Sequence, residues 1–192
     1  GKRVTKGKFK GMFIYTLTLE ERATCAVSCA HYETCYGNNM PFATRYKADK
    51  ALIVAIASEL KELNERHKEG FLVRLHILGD FFSTEYVAHW DNWLSQFKNL
   101  NVYGYTEKKQ GTPIGDALET MRVTYNTRFM IRISGDTARD NLTALSYDDE
   151  RAQQQVKTKQ AFICPVQLDK TASCGSCGLC WTTNKNVVFY TH

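Results

Sequence analysis

A single rhythm limits what this chain can fold into: short runs of β-branched and aromatic residues alternate with polar punctuation and helical stretches. Six runs carry it, at residues 12–17, 71–78, 101–105, 128–133, 161–163 and 187–190. Between the first two, the spacing of Leu52, Ile53, Ile56, Leu60 and Leu63 predicts a helix over about 46–69 with one apolar face, stopped by Gly70. A second helix is expected with Ser83 or Thr84 as its cap, burying Tyr86, Val87, Trp90, Trp93, Leu94 and Phe97. A third is expected from Pro113, suited to a first turn, through Met121. Around 139–145 only a weak helical turn in an irregular stretch is expected. Alternating strands and helices predict parallel strands joined by right-handed crossovers. The expected fold class is α/β, an open sheet or an incomplete (β/α)6 barrel with parallel strands, filling residues 1–192 as one domain.

The residues that end the runs are the chemically capable ones. Cysteines follow the first run, Gly79 and Asp80 the second, and Thr106, Glu107 and Lys108 the third. Ser134, Gly135 and Asp136 follow the fourth, Cys164 and Pro165 the fifth, and Thr191 and His192 the sixth. In parallel α/β folds the carboxyl ends of the strands lie along one edge, and that edge holds the site. Taken singly, Gly, Asp and Ser after a strand are turn formers and helix caps. Together, with cysteine at two of the six ends, they favour a site. Asp80, Lys108, Asp136 and His192 are the expected catalytic residues at its mouth, with Lys108 offering charge to an anionic small molecule.

Seven cysteines sit in this chain. The number is odd, and the basic N-terminal stretch lacks the apolar core of a signal peptide. A disulfide framework is therefore not expected, and a cytoplasmic protein is. Cys174, Cys177 and Cys180 stand in a Cys-x2-Cys-x2-Cys run inside a cysteine-rich loop at 164–186, with Cys164 and Pro165 upstream. That spacing is too tight for most structural zinc sites. It matches the wrapping of a 4Fe–4S cube by one loop and a remote cysteine; a four-cysteine zinc site is the alternative. Cys25, Cys29 and Cys35 form a second set within one loop. Three thiolates leave one iron of a cube open to a small-molecule ligand, a water, or a histidine such as His31, His76 or His192. One cluster or two are both compatible with this spacing.

The charge balance adds less. The formal net charge is +5, with Lys2, Arg3, Lys6, Lys8 and Lys10 crowded into a basic arm at 1–11. Such an arm can meet phosphate, so nucleic acid enters as a partner on charge alone; without a recognition motif, a frayed, solvated terminus is the favoured expectation. No apolar run reaches the roughly 18 residues of a membrane helix, so no membrane partner is expected.

A three-cysteine loop after the first strand of a (β/α)6 partial barrel resembles the radical S-adenosylmethionine enzymes. Their loop is Cys-x3-Cys-x2-Cys; here Cys25 and Cys29 match the first interval, and Cys35 follows after five residues instead of two. The resemblance implies S-adenosylmethionine as cofactor and an electron donor as partner. It places Gly79 and Asp80 at the cofactor's amino group and Ser134 at its ribose or carboxylate. Over nearly the whole chain, the sequence is similar to a phage family, the gene product eighty-eight proteins. The matching segments are Thr24 to Tyr36, Arg74-x-His76-x-x-Gly79-Asp80-Phe81-Phe82, Tyr105 with Thr106, Cys164 through Trp181, and Phe189 to His192. For a phage protein, the cytoplasm expected is that of the host.

Three function classes follow. The first is an iron–sulfur enzyme with an open iron at Cys25, Cys29 and Cys35 and a closed cluster at Cys164, Cys174, Cys177 and Cys180. The second is a non-catalytic iron–sulfur protein with a structural, redox-sensing or nucleic-acid-binding role. The third is a zinc-stapled domain without catalysis.

Overall fold

The computed structural model describes residues 2–29, 31–135, 137–138 and 142–190. Its strands are β1 (Lys2–Arg3), β2 (Phe13–Thr16), β3 (Phe71–Leu75), β4 (Leu100–Thr106), β5 (Phe129–Gly135), β6 (Thr143–Tyr147), β7 (Ala161–Ile163) and β8 (Asn186–Tyr190). The helices are α1 (Glu21–Thr24), α2 (Lys50–Arg66), α3 (Thr84–Gln96), α4 (Pro113–Tyr125), α5 (Asp149–Lys157), α6 (Cys174–Cys177) and α7 (Leu179–Thr182). All strands join one sheet in the order β1-β2-β3-β4-β5-β6-β8-β7. Only β1 runs antiparallel to its neighbour.

The caps explain where the main helices begin. Asp49 Oδ1 accepts from Leu52 N at 2.9 Å, so α2 starts at Lys50, later than the apolar spacing predicts. Tyr46 instead forms an isolated parallel bridge with Leu19. Ser83 caps α3 through Tyr86 N, and Thr112 caps α4 through Gly115 N with Pro113 in the first turn.

Alternation along the strands divides the sheet into two faces. Phe71, Val73, Leu75, Val102, Phe129 and Ile131 pack under α2, α3 and α4 in one large core. Leu145, Ile163 and Val188 continue that face under α5. Leu72, Tyr103, Ala144 and Val187 face the other way. Among the described residues, no long helix covers this second face. Its cover is the strap from Val4 to Gly11, with Val4 and Phe9 as anchors, and the segment carrying Cys174 and Trp181. The basic arm is therefore docked through β1 and its two apolar residues, while its lysines stay exposed.

Two sequence expectations change. Eight strands form where six runs were expected, because Lys2–Arg3 and Thr143–Tyr147 also pair. The latter replaces the weak helical turn: Thr, Leu and Tyr suit a pleated surface, and pairing with β5 and β8 decides the conformation.

Candidate metal centres

The first cysteine group hangs from α1 at the carboxyl edge of the sheet. Thr24 Oγ1 donates to Glu20 O at 2.9 Å and accepts from Asp80 N at 3.3 Å, which fixes the residue before Cys25 against the loop after β3. Two arginines hold the rest of the loop. Arg45 binds Glu21 through both carboxylate oxygens, at 2.8 and 3.0 Å, and donates to Gly37 O, Met40 O and Ala43 O. Its guanidinium holds the Glu21 carboxyl below the usual range. Arg22 donates to Tyr32 O and to Asn38 Oδ1 and lies over the Tyr32 ring. Within this frame Cys25 is in electrostatic reach of Cys29, Cys35, Asp80 and Lys108. Burial, with Asp80 adding to it, pushes the Cys25 thiol up to about 12. Burial raises Cys29 as well. An open cleft of about 640 Å³ adjoins the loop, lined by Ala26 and Ser28, by Lys108, and by the first turns of α3 and α4.

The second group lies on the sheet's second face. Cys164 follows β7, with its N–H on Val188 O at 2.9 Å. Ser173 and Ser176 form a reciprocal capping box at the start of α6. Gly178 then takes φ 73°, a left-handed turn that favours glycine, and the chain restarts as α7. Cys180 lands against the sheet, where the Tyr105 hydroxyl donates to its Sγ at 3.1 Å. Trp181 beside it packs on Tyr103 with ring centroids 4.5 Å apart. Arg132 clamps the segment, donating to Cys180 O at 3.1 Å, Thr183 O at 2.8 Å and Lys185 O at 2.7 Å. Cys174 is in electrostatic reach of Cys164 and Cys177, and Cys180 of Cys174 and Cys164. Burial pushes Cys180 up to about 11, against the hydrogen bond from Tyr105 and the charge of Arg132.

All seven cysteines are free thiols. Among the described residues, no three His, Cys, Asp or Glu side chains are arranged to hold a metal ion. The donor chemistry suits iron–sulfur or zinc, since both are bound by thiolate.

The remaining expected residues separate. Gly79 has φ 86°, and a Cβ there would lie 2.7 Å from both Leu19 Cβ and Thr24 Oγ1, so glycine is required. Both Asp80 oxygens have internal partners: Oδ1 accepts from Phe81 N and Thr106 Oγ1 at 2.7 Å, and Oδ2 from Glu107 N at 2.9 Å. Asp80 thus ties the cysteine loop to the ends of β3 and β4. Lys108 lines the cleft, and its N–H donates to Thr106 Oγ1 at 3.1 Å. Ser134 sits on β5 beside Ala144 of β6, on the second face, and takes no part in the Asp80 clamp. Asp136 and His192 lie outside the described residues. His76 is buried with Phe81 and Tyr86, and His31 is exposed in the cysteine loop. Sequence reasoning met Arg74 and Tyr105 in the family-matching segments, gave them no site role, and did not single out Arg132; all three lie on the second face. The available signal is a lone arginine inside each of two otherwise apolar runs, FLVRL and FMIRI.

A mostly parallel sheet with three thiols at its carboxyl edge and four on the face opposite the long helices defines a cysteine-rich α/β protein. A family profile described as Gene product 88 matches residues 30–183, and the chain belongs to that family. The matched stretch begins after Cys29 and includes Cys35 and all four cysteines of the second group. The chain is also similar to the "Gene 88 protein" of Mycobacterium phage L5, with 27% identity over 158 residues. That similarity covers 73% of this chain and 63% of the relative, so the chain spans less than two thirds of that protein's length. No solved structure matches.

Proposed function

We propose that this chain is an iron–sulfur protein. Cys164, Cys174, Cys177 and Cys180 are assigned as ligands of a closed 4Fe–4S cluster on the second face. Cys25, Cys29 and Cys35 are assigned to a cluster with one open iron at the carboxyl edge. The observation that carries this is the segregation of seven unpaired thiols into two groups, each within its own electrostatic reach. When bound, such clusters supply one-electron transfer and, at an open iron, a site for a small ligand. The residues around the first group supply the rest: the cleft admits the ligand, Lys108 offers it a cation, and the Asp80 clamp fixes the loop. S-adenosylmethionine is the ligand that the likeness to radical S-adenosylmethionine enzymes puts there, reduced by an external electron donor. Consecutive strand order from β2 to β6, with α2 to α5 on one face, is the support for a partial-barrel reading.

Iron, acid-labile sulfide and the visible spectrum of anaerobically purified protein test the proposal. About eight irons per chain mean two cubes and about four mean one. An iron-free, colourless protein rejects the proposal, and stoichiometric zinc in it assigns the second group to zinc. With S-adenosylmethionine and dithionite present, no 5′-deoxyadenosine and an unchanged EPR signal reject the cofactor assignment alone.

A second, non-catalytic reading has its own observation. The 174–182 segment lies across the sheet's second face as part of the fold, held by Arg132 and Trp181. A centre there would act as a staple for the face without long helices.

A further inference from the structure

Arg74 is a half-buried cation in the middle of a parallel sheet. It lies in β3, between Thr16 of β2 and Tyr103 of β4 in register. Alternation turns it from the helix layer, where Val73 and Leu75 pack, onto the second face. Its Nε is buried without a hydrogen-bond partner, and no carboxylate lies within ion-pair distance among the described residues. Its electrostatic neighbours are Tyr36, Tyr103, Tyr105 and Cys174. Arg132 on the same face differs: its guanidinium is engaged by three backbone carbonyls of the 180–185 segment. The guanidinium is half-buried with its Nε cut off from partners, a cost that a facing anion offsets, and arginine is the residue best suited to such a partner. Among its neighbours, Cys174 belongs to the second cysteine group, whose thiols become anionic together when they bind metal.

We propose that Arg74 is the counter-cation of a metal–thiolate cluster held by Cys164, Cys174, Cys177 and Cys180, and that it sets how readily that cluster accepts an electron. The inference rests on the iron–sulfur reading above. A cube bound by four thiolates is anionic, and reduction adds one more negative charge. A fixed positive charge beside it favours the reduced form. Tyr103, buried, and Tyr105, half-buried, flank Arg74 and reduce the screening of that interaction. Arg74 is a positioning and charge-setting residue, not a ligand.

The test uses anaerobically prepared full-length protein in a Cys25→Ser/Cys29→Ser background, so that only the second centre reports. Iron per chain and an EPR-monitored titration with dithionite are compared for that protein, Arg74→Gln and Arg74→Lys. Arg74→Gln is expected to disfavour the reduced form about tenfold, about 59 mV for one electron, and Arg74→Lys to restore most of it. An unchanged midpoint in an iron-loaded Arg74→Gln protein overturns the inference and leaves the iron–sulfur reading standing. A background protein that binds no iron removes the cluster on which both rest. If Arg74→Gln does not fold, Arg74→Lys decides: a shift as large as tenfold with the charge retained overturns the electrostatic role.

Discussion

At the scale of single residues, the polar groups under the carboxyl edge divide into satisfied and unsatisfied ones, and the division predicts how they respond to change. His76 Nε2 lies 3.1 Å from the Tyr86 hydroxyl, its ring meets Phe81 edge-on, and Nδ1 is buried without a partner among the described residues. Burial depresses the imidazole from its usual 6.5 to about 3. Between those values the unfolded chain takes up a proton that the native state refuses, so stability falls as the pH is lowered through that window. His76 contributes up to about 1.4 kcal/mol per pH unit to this slope. Urea denaturation at a series of pH values should therefore show a shallower acid decline for His76→Gln, which retains a partner for Tyr86. Asp80 is the satisfied counterpart. In Asp80→Asn the amide must turn N–H donors towards a backbone N–H or towards Thr106, so a loss of about 1–3 kcal/mol is expected in denaturant melts. An unchanged midpoint would show that the clamp does not hold the loops together. The sequence made Asp80 and the cysteines legible because their spacing and their place after strands are local properties. Arg74 and Arg132 were not, because what makes them informative is the face they point to, which sequence alternation leaves undefined in strands buried on both sides.

At the scale of elements, the three long helices and six of the strands were legible; α5 and the strands β1 and β6 were not. Asp49, Ser83 and Thr112 each cap a helix of 13 residues or more, and the apolar spacing of α2, α3 and α4 points them into one core. β6 carries no such local signature: its residues become a strand because β5 and β8 lie on either side of it. The pair α6 and α7 is shorter still, at four residues each, and neither is stable alone. Their order comes from the sheet, through Arg132 and the packing of Trp181 on Tyr103. Arg132→Met removes the donors of three carbonyls at once and is expected to cost about 2–4 kcal/mol. Hydrogen exchange should place the loss of protection at 178–185. A uniform loss across the sheet would instead mark Arg132 as a general core residue.

At the scale of the whole molecule, one face of the sheet has a helix layer and the other a patchwork of strap and cysteine segment, so metal bound there should matter to stability more than metal at the edge. Chelation under anaerobic, reducing conditions is expected to lower the thermal midpoint by at least about 5 °C, or about 2 kcal/mol for a chain of this size. Protection should be lost first at residues 4–12 and 174–185, and an unchanged melt would mean that the patchwork is self-sufficient. The two halves of that patchwork come from far apart in the chain: Thr5 N donates to Gly175 O at 3.0 Å, and a Cβ on Gly175 would lie 2.6 Å from Arg3 O. Translation delivers them in a fixed order. The strap is made before Leu72 and Tyr103 on the sheet and before the cysteine segment with Trp181, and its packing is complete only when all of them are present. Until the cysteine segment follows, the second face of the growing sheet stays partly open. The step that closes it joins the most distant parts of the sequence, which makes it a slow step and the one most exposed to misassembly.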